Sequence, residues 1–355
     1  MIFKYVAFHY LKNMLTILFG LSALFAGLDF LMNGSSLPSF NVKVLYFYLK
    51  IQEALNLLYP LAIVFGGIWT KIAFIKQNKV GALYALGVTR KEFFKPFFVV
   101  GLFTYLIFVG LNFTSFATVQ ETSKSLFQNH YRASKTKDLF FKYKTKYHTS
   151  FIYIGALIPQ KYKLEDLTVF RLKKDKVVAI ITAKEAWYNI YEWVASNAIK
   201  KSKFINKDGK ERLKVETIPT LHILRDYQPK ILESIYDGKT LNLAETISAK
   251  RLLENQGLNT YEIRTEIYSK IVVPLFSIAL LMILIFQLPF HARYMNVSIT
   301  SAKAIGGTLF IWGVLFALGS IAKNGTVMPE LVLILPIVLL WGYALITLRK
   351  SDNRI

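Results

Sequence analysis

Five histidines, no cysteine and one Gly-Lys-Thr triplet are the residues from which this chain could build a reactive centre. His9, His130, His148, His222 and His291 stand far apart, and no two show H-E-x-x-H or another metal-ligand spacing. Gly238-Lys239-Thr240 looks like the end of a phosphate-binding loop. That motif needs a glycine five residues before its Gly-Lys pair, and Glu233 stands there. The absence of cysteine removes thiolate metal sites, a thiol nucleophile and any disulfide framework. There is no Gly-x-Ser-x-Gly elbow and no pair of carboxylates within an apolar segment. The chain therefore lacks the reagents of an enzyme and is expected to bind no cofactor or metal of its own.

The informative polar stretch is instead Lys76–Lys95, KQNKVGALYALGVTRKEFFK. Val80–Leu86 is a short apolar run, and Gly87 is a natural helix stop. Thr89 and Glu92 then have the spacing of a capping box, with Val88 and Phe93 placed for the accompanying hydrophobic staple. The pattern predicts a short helix at about 79–88, a corner at Gly87 and a new helix from Arg90. Val80, Leu83 and Tyr84 form an apolar patch on the short helix. Either the hairpin rests at a membrane interface, or this patch docks on a soluble partner.

These residues need a frame, and the composition indicates a membrane. The chain has 355 residues, 54% hydrophobic and 19% charged, yet carries a net charge of +22. Six stretches approach the length of about 20 apolar residues that spans a bilayer. They run from about 13 to 31, 54 to 75, 96 to 119, 267 to 289, 304 to 322 and 331 to 348. The first has a basic start and an apolar core but no A-x-A site after it, so it is expected to span rather than be cleaved. Lys4, Lys12, Lys71, Lys76, Lys79, Arg90, Lys91, Lys95, Arg293, Lys303, Arg349, Lys350 and Arg354 collect on one side of these segments. Only Lys43, Lys50 and Lys323 fall in short loops on the other. The positive-inside rule then places both termini in the cytoplasm and the central insertion outside. The basic residues are spread over four separate loops rather than gathered in one stripe, which argues against a nucleic-acid footprint.

The chain thus divides into helices one to three (residues 1–121), an insertion (122–266) and helices four to six (267–355). Within the insertion, Ser150–Leu157, Leu167–Leu172, Val177–Thr182, Trp193–Ile199 and Leu213–Leu224 are β-type runs. Asn206–Gly209 is a turn between the last two, and Asn242–Gly257 is helical with Gly257 as its stop. The fold class expected is an integral membrane α-helical protein, 3+3, with an inserted all-β, jellyroll-like domain.

This arrangement resembles the LptF/LptG permeases that export lipopolysaccharide, over essentially the whole chain. The most specific piece is Ala85-Leu86-Gly87-Val88-Thr89-Arg90, similar to the family's corner after its coupling helix. Ala183-Lys184-Glu185-Ala186 with Trp193, Tyr268-Ser269-Lys270 with Pro274, and Pro329 and Pro336 also fit. Leu28-Asp29 and the corner favour LptG over LptF. The resemblance implies a homologous permease as partner, a dimeric cytoplasmic ATPase that uses ATP and Mg, a periplasmic bridge protein, lipopolysaccharide as cargo and the bacterial inner membrane as location. Carried onto this chain, the coupling residues are Lys79, Val80, Leu83, Tyr84, Leu86, Gly87, Val88, Thr89 and Arg90. Lys79 replaces a frequent family Glu, and the outer end of the first helix lacks the lysines some members have.

Substrate-path candidates are Asp29, Lys43, Lys50, Phe151 and Tyr153. The lysines either attract glycolipid phosphates or snorkel at the interface, and Asp29 caps its helix, pairs with a lysine or meets substrate. Phe151, Tyr153, Val169 and Arg171 alternate along strands and supply core or an acyl-chain groove. Gly66-Gly67 and Gly306-Gly307 allow close helix approach, inside the subunit or toward a partner. Two competing functions are a permease of another ABC system, such as lipoprotein release, and a membrane-tethered periplasmic binding or sensor module.

Overall fold

A computed structural model of the chain describes residues 2–127, 136–145, 149–173, 176–205, 211–289, 293 and 296–352. It contains two compact units, Met1–Leu126 with Tyr261–Ile355, and Phe127–Thr260.

The first unit is helical. Its elements are α1 (Ile2–Asn33), α2 (Phe40–Lys76), α3 (Lys79–Ala85), α4 (Arg90–Leu111) and α5 (Val119–Ser125), then, after the insertion, α8 (Tyr261–Ile271), α9 (Leu275–Gln287), α10 (Val297–Lys323) and α11 (Leu335–Asp352). Six helical spans are long and apolar enough to cross a membrane, with α8 and α9 together making the fourth. Pro274 divides that span. The third spanning helix stops at Leu111, short of the expected 119, where the Asn112 amide folds back onto the Phe108 carbonyl and pairs with the Asn56 amide of α2. Residues 261–266, assigned to the insertion from sequence, lie instead in the helical unit as the first turns of α8.

The centre of this unit is α2 with α9, whose apolar residues are mostly buried, whereas α1, α10 and α11 leave broad apolar faces open. Glycine explains how close the centre packs. A Cβ on Gly66 would stand 2.6 Å from the Met14 Cα of α1, and one on Gly67 would collide with the Leu281 side chain of α9. Gly66-Gly67 therefore serve packing inside this subunit. Nothing lies within 4 Å of a Cβ built on Gly306 or Gly307. Tyr10 Oη donates to the Ile63 carbonyl at 3.0 Å, and Asn13 donates to Thr70 at 2.9 Å, so α1 is also bonded to α2 through polar groups.

The second unit holds β1 (Thr136–Lys144), β2 (Thr149–Ile158), β3 (Lys163–Lys173), β4 (Lys176–Asn189), β5 (Glu192–Ile205) and β6 (Glu211–Ile223), then α6 (Pro229–Asp237) and α7 (Leu243–Gln256). The strands form one open antiparallel sheet in the order β1 to β6. α7 is opened by an Asn242–Glu245 capping box and closed by Gly257 at φ +68°. β1 and α6 have no counterpart in the sequence reading, and the turn assigned to Asn206–Gly209 lies outside the described residues.

One line crosses five of the six strands, from β1 to β5. Asp138 of β1 and Asp166 of β3 both lie opposite Gly155 of β2, and both have left-handed backbone at φ +56°. Asp166 in turn faces Lys184 of β4, which faces Asn197 of β5, also left-handed at φ +51°. Pairing holds the same register on both sides of each of these residues, so nothing is inserted. A left-handed residue turns the following side chains over, so the parity that points inward reverses. Thr136 and Leu139 are both buried, as are Leu164 and Leu167, Ala183 and Ala186, and Ala195 and Ala198. The Ala-Lys-Glu-Ala motif singled out above is this crease as it crosses β4.

Candidate functional site

α3 sits in the corner between α2 and α4 and is fixed from both ends. Asn78 starts it in left-handed backbone at φ +54°. Gly87 at φ +85° ends it, with the Gly87 and Val88 amides bonded to the Tyr84 and Leu83 carbonyls. The helix covers Lys79–Ala85, and residues 86–88 form the turn beyond it. The capping box is present: the Glu92 amide donates to Thr89 Oγ1 at 3.2 Å, and the Thr89 amide donates to Glu92 Oε2 at 2.9 Å. Arg90 is the first residue of α4, and Val88 packs on the cluster that contains the fully buried Phe93.

The faces of α3 are divided differently from the sequence expectation. Val80 is fully buried, and Leu83 and Tyr84 pack on the same core, with Tyr84 edge-on to Phe93. They are not an uncovered patch, because the neighbouring ends of α1, α2 and α4 supply their cover. The outward surface is Ala82, Ala85 and Leu86, of which Leu86 is 77% exposed. Lys79 points inward too. Its Nζ donates to Tyr5 Oη at 2.7 Å and lies over the Tyr5 and Phe74 rings, tying α3 to the start of α1. Exposed Lys76, Lys91 and Lys95 surround this corner.

At the opposite end of α1 and α2, the structure brings together Asp29 and Lys50 but not Lys43. Lys50 is 7% exposed and lies 3.5 Å from Asp29 and 3.0 Å from Glu53. Tyr46 Oη also donates to Asp29. The Lys50 charge is thus compensated by two carboxylates, and Asp29 pairs with a lysine. Lys43 is half-buried, seven residues before Lys50 on α2.

Phe151 and Tyr153 share one face of β2, opposite the buried Ile152 and Ile154. Phe151 stacks on Phe140 at 5.5 Å, and Tyr153 donates to Asp138 at 2.7 Å. That bond to the carboxylate holds the Tyr153 phenol above its ordinary pKa. Val169 is on the buried face, continuous with Ile152 and Ile181. Beside the crease, Lys163 reaches Glu185 at 2.5 Å and Glu165 at 3.4 Å, over the Trp187 ring.

Four residues that the sequence reading did not assign to a site, Arg264, Tyr268, Glu330 and Lys71, also make long-range polar contacts. Arg264 and Tyr268 of α8 both bond Glu330 Oε1, at 2.6 and 2.8 Å, where a π turn (Glu330–Ile334) precedes α11. Lys71 reaches from α2 to the end of α9. Such partners lie far apart in the chain, so spacing carries no signal for them.

A family model for the lipopolysaccharide export system permease LptF/LptG matches residues 4–350. It covers LptF and LptG together and carries no preference for LptG. No curated protein matches the chain.

Proposed function

This chain belongs to the LptF/LptG family of lipopolysaccharide export permeases, and from that premise we propose that it is one half of the permease of an ATP-driven extractor in the bacterial inner membrane. It is a membrane protein and a transporter subunit rather than an enzyme. Its partners in this reading are a homologous permease, a dimeric cytoplasmic ATPase that hydrolyses ATP with Mg, and a periplasmic bridge that receives the lipid. Both termini and α3 face the cytoplasm, and the β unit faces the periplasm.

The energetic argument starts from the cargo. Each buried methylene of a multi-acyl glycolipid holds it in the bilayer by about 0.8 kcal/mol. Extraction needs work, and Glu233 in place of the required glycine removes a nucleotide loop from Gly238-Lys239-Thr240. The work enters through a partner.

The observation that carries this reading is the construction of α3. A helix of seven residues is too short to be stable alone. Here it is held by a buried Val80, a lysine tether and the Gly87 stop, and it still turns Ala82 and Ala85 outward, with Leu86 just beyond its end. Rigid anchoring with an apolar tip is what a lever moved by a soluble partner requires. The exposed apolar faces of α1 and α10 are available for a partner permease and for acyl chains.

Gentle detergent purification of the tagged protein, with mass spectrometry of what accompanies it, tests the proposal. Stoichiometric ATPase and a second six-helix permease are expected. Recovery of the chain alone, or with periplasmic proteins only, would overturn it in favour of a tethered binding module.

A further inference from the structure

We propose that Lys71 is a positioning residue that ties the α3 end of α2 to the C-terminal end of α9, so that a displacement of α3 is carried into the fourth spanning helix. The inference rests on the proposed function for the direction of the motion, and on geometry for the tie.

Lys71 is 2% exposed in an otherwise apolar stretch of α2, and its partners are backbone carbonyls rather than carboxylates. Its Nζ donates to the Ile285 carbonyl and, at 2.6 Å, to the Leu288 carbonyl. The last carbonyls of a helix have no intrahelical donor and carry the negative end of its dipole. At α9 the deficit is sharper. The group that would normally bond the Ile285 carbonyl is the amide of residue 289, and residue 289 is proline, which has none. Lys71 supplies the missing donor.

One turn earlier, the same two helices touch at Gly67 and Leu281. Gly67 and Lys71 are four apart, as are Leu281 and Ile285, so the two contacts lie on one seam. Helix α2 runs only five residues beyond Lys71 before the two-residue turn into α3. The fourth span is in turn fixed at its other end by Arg264 and Tyr268 on Glu330. A shift of α3 therefore meets α9 through a buried hydrogen-bonded tie rather than through apolar surfaces free to slide.

The chain has no cysteine, so Lys76→Cys and Gln287→Cys give two unique, exposed labelling sites at the ends of α2 and α9. Spin-label distances between them, with and without nucleotide, are measured in the complete transporter in nanodiscs. Wild type is expected to keep one narrow distance throughout. Lys71→Met is expected to broaden it, to leave ATP hydrolysis intact and to raise the ATP consumed per lipid released by about tenfold, the factor expected for buried carbonyls that lose their donor. Lys71→Arg should restore part of the coupling. Pro289→Ala separates a tie from a mere donor, because it returns an amide to the Ile285 carbonyl. In that background Lys71→Met should regain stability yet remain uncoupled. Recovery of coupling, or an unchanged distance in Lys71→Met, would overturn the inference. Absence of an ATPase from the wild-type preparation would defeat the proposed function alone, since the label distance still reports the tie.

Discussion

Gly155 and Asp166 face each other across β2 and β3 so closely that a Cβ on the glycine would stand 2.9 Å from the Asp166 Cβ. The crease of the sheet passes through this contact. Gly155→Ala is expected to destabilise the β unit by about 1–3 kcal/mol, as overpacking does. Asp166→Gly in the same chain should recover most of that loss, because glycine accepts the left-handed backbone and vacates the space. Hydrogen exchange of the β strands in the full-length protein measures both. A Gly155→Ala chain with unchanged protection would show that the crease gives way easily.

The crease also shows where the sequence was legible. The spans of α1, α2, α4, α10 and α11 could be read because a bilayer demands long apolar runs, and the corner at Gly87 because its capping chemistry is local. β2 to β6 were found as runs rich in β-branched and aromatic residues separated by turn residues. β1 was missed because Thr136–Lys144 places charged residues beside Leu139, Phe140 and Phe141, and the left-handed Asp138 breaks the period. The face of α3 was misjudged because Val80, Leu83 and Tyr84 are covered by helices that sequence cannot place beside them. The pairing of Lys50 with Asp29 across two helices was one of several open readings. Lys71 was read only as a topology marker, and Glu330 left no pattern at all.

The β unit should lose stability in alkali through Tyr236. Burial pushes this phenol up to about 12 from an ordinary value of 10.0, and its hydroxyl donates to the Phe140 carbonyl of β1. The folded form therefore keeps a proton that the unfolded chain releases. The stabilisation is complete below about pH 10 and is lost as pH rises through about 12. Tyr236→Phe should remove that part of the decline while costing about 1 kcal/mol of hydrogen bond at neutral pH. The difference in alkaline hydrogen-exchange profiles of β1 and α6 between the two proteins is the readout. Parallel profiles would dismiss the role of this phenol.

The division of faces on α3 makes Leu86 and Leu83 report different things. Leu86→Glu places charge on an exposed tip and should leave folding within about 0.5 kcal/mol, as surface changes do, while reducing ATPase recovery strongly. Leu83→Glu buries a carboxylate against the core of α2 and α4 and should lower the yield of folded protein before any partner is involved. Monodisperse yield and bound ATPase are scored together. Equal ATPase recovery by Leu86→Glu and wild type would remove this tip from the docking surface.

Lys50 is expected to act first as a structural cation between Asp29 and Glu53. Lys50→Met leaves two partly buried carboxylates facing each other and should cost about 3 kcal/mol, the low end for a broken buried pair because Asp29 is 24% exposed. Asp29→Asn leaves Lys50 its bond to Glu53 and should cost clearly less. Combining Lys50→Met with Asp29→Asn should restore part of the loss, since only one charge then remains. Thermal unfolding of the four proteins in one detergent gives the cycle. Additive single-site losses would mean that the three groups do not share charge. A stable Lys50→Met chain with impaired lipid export would instead assign this lysine to the cargo.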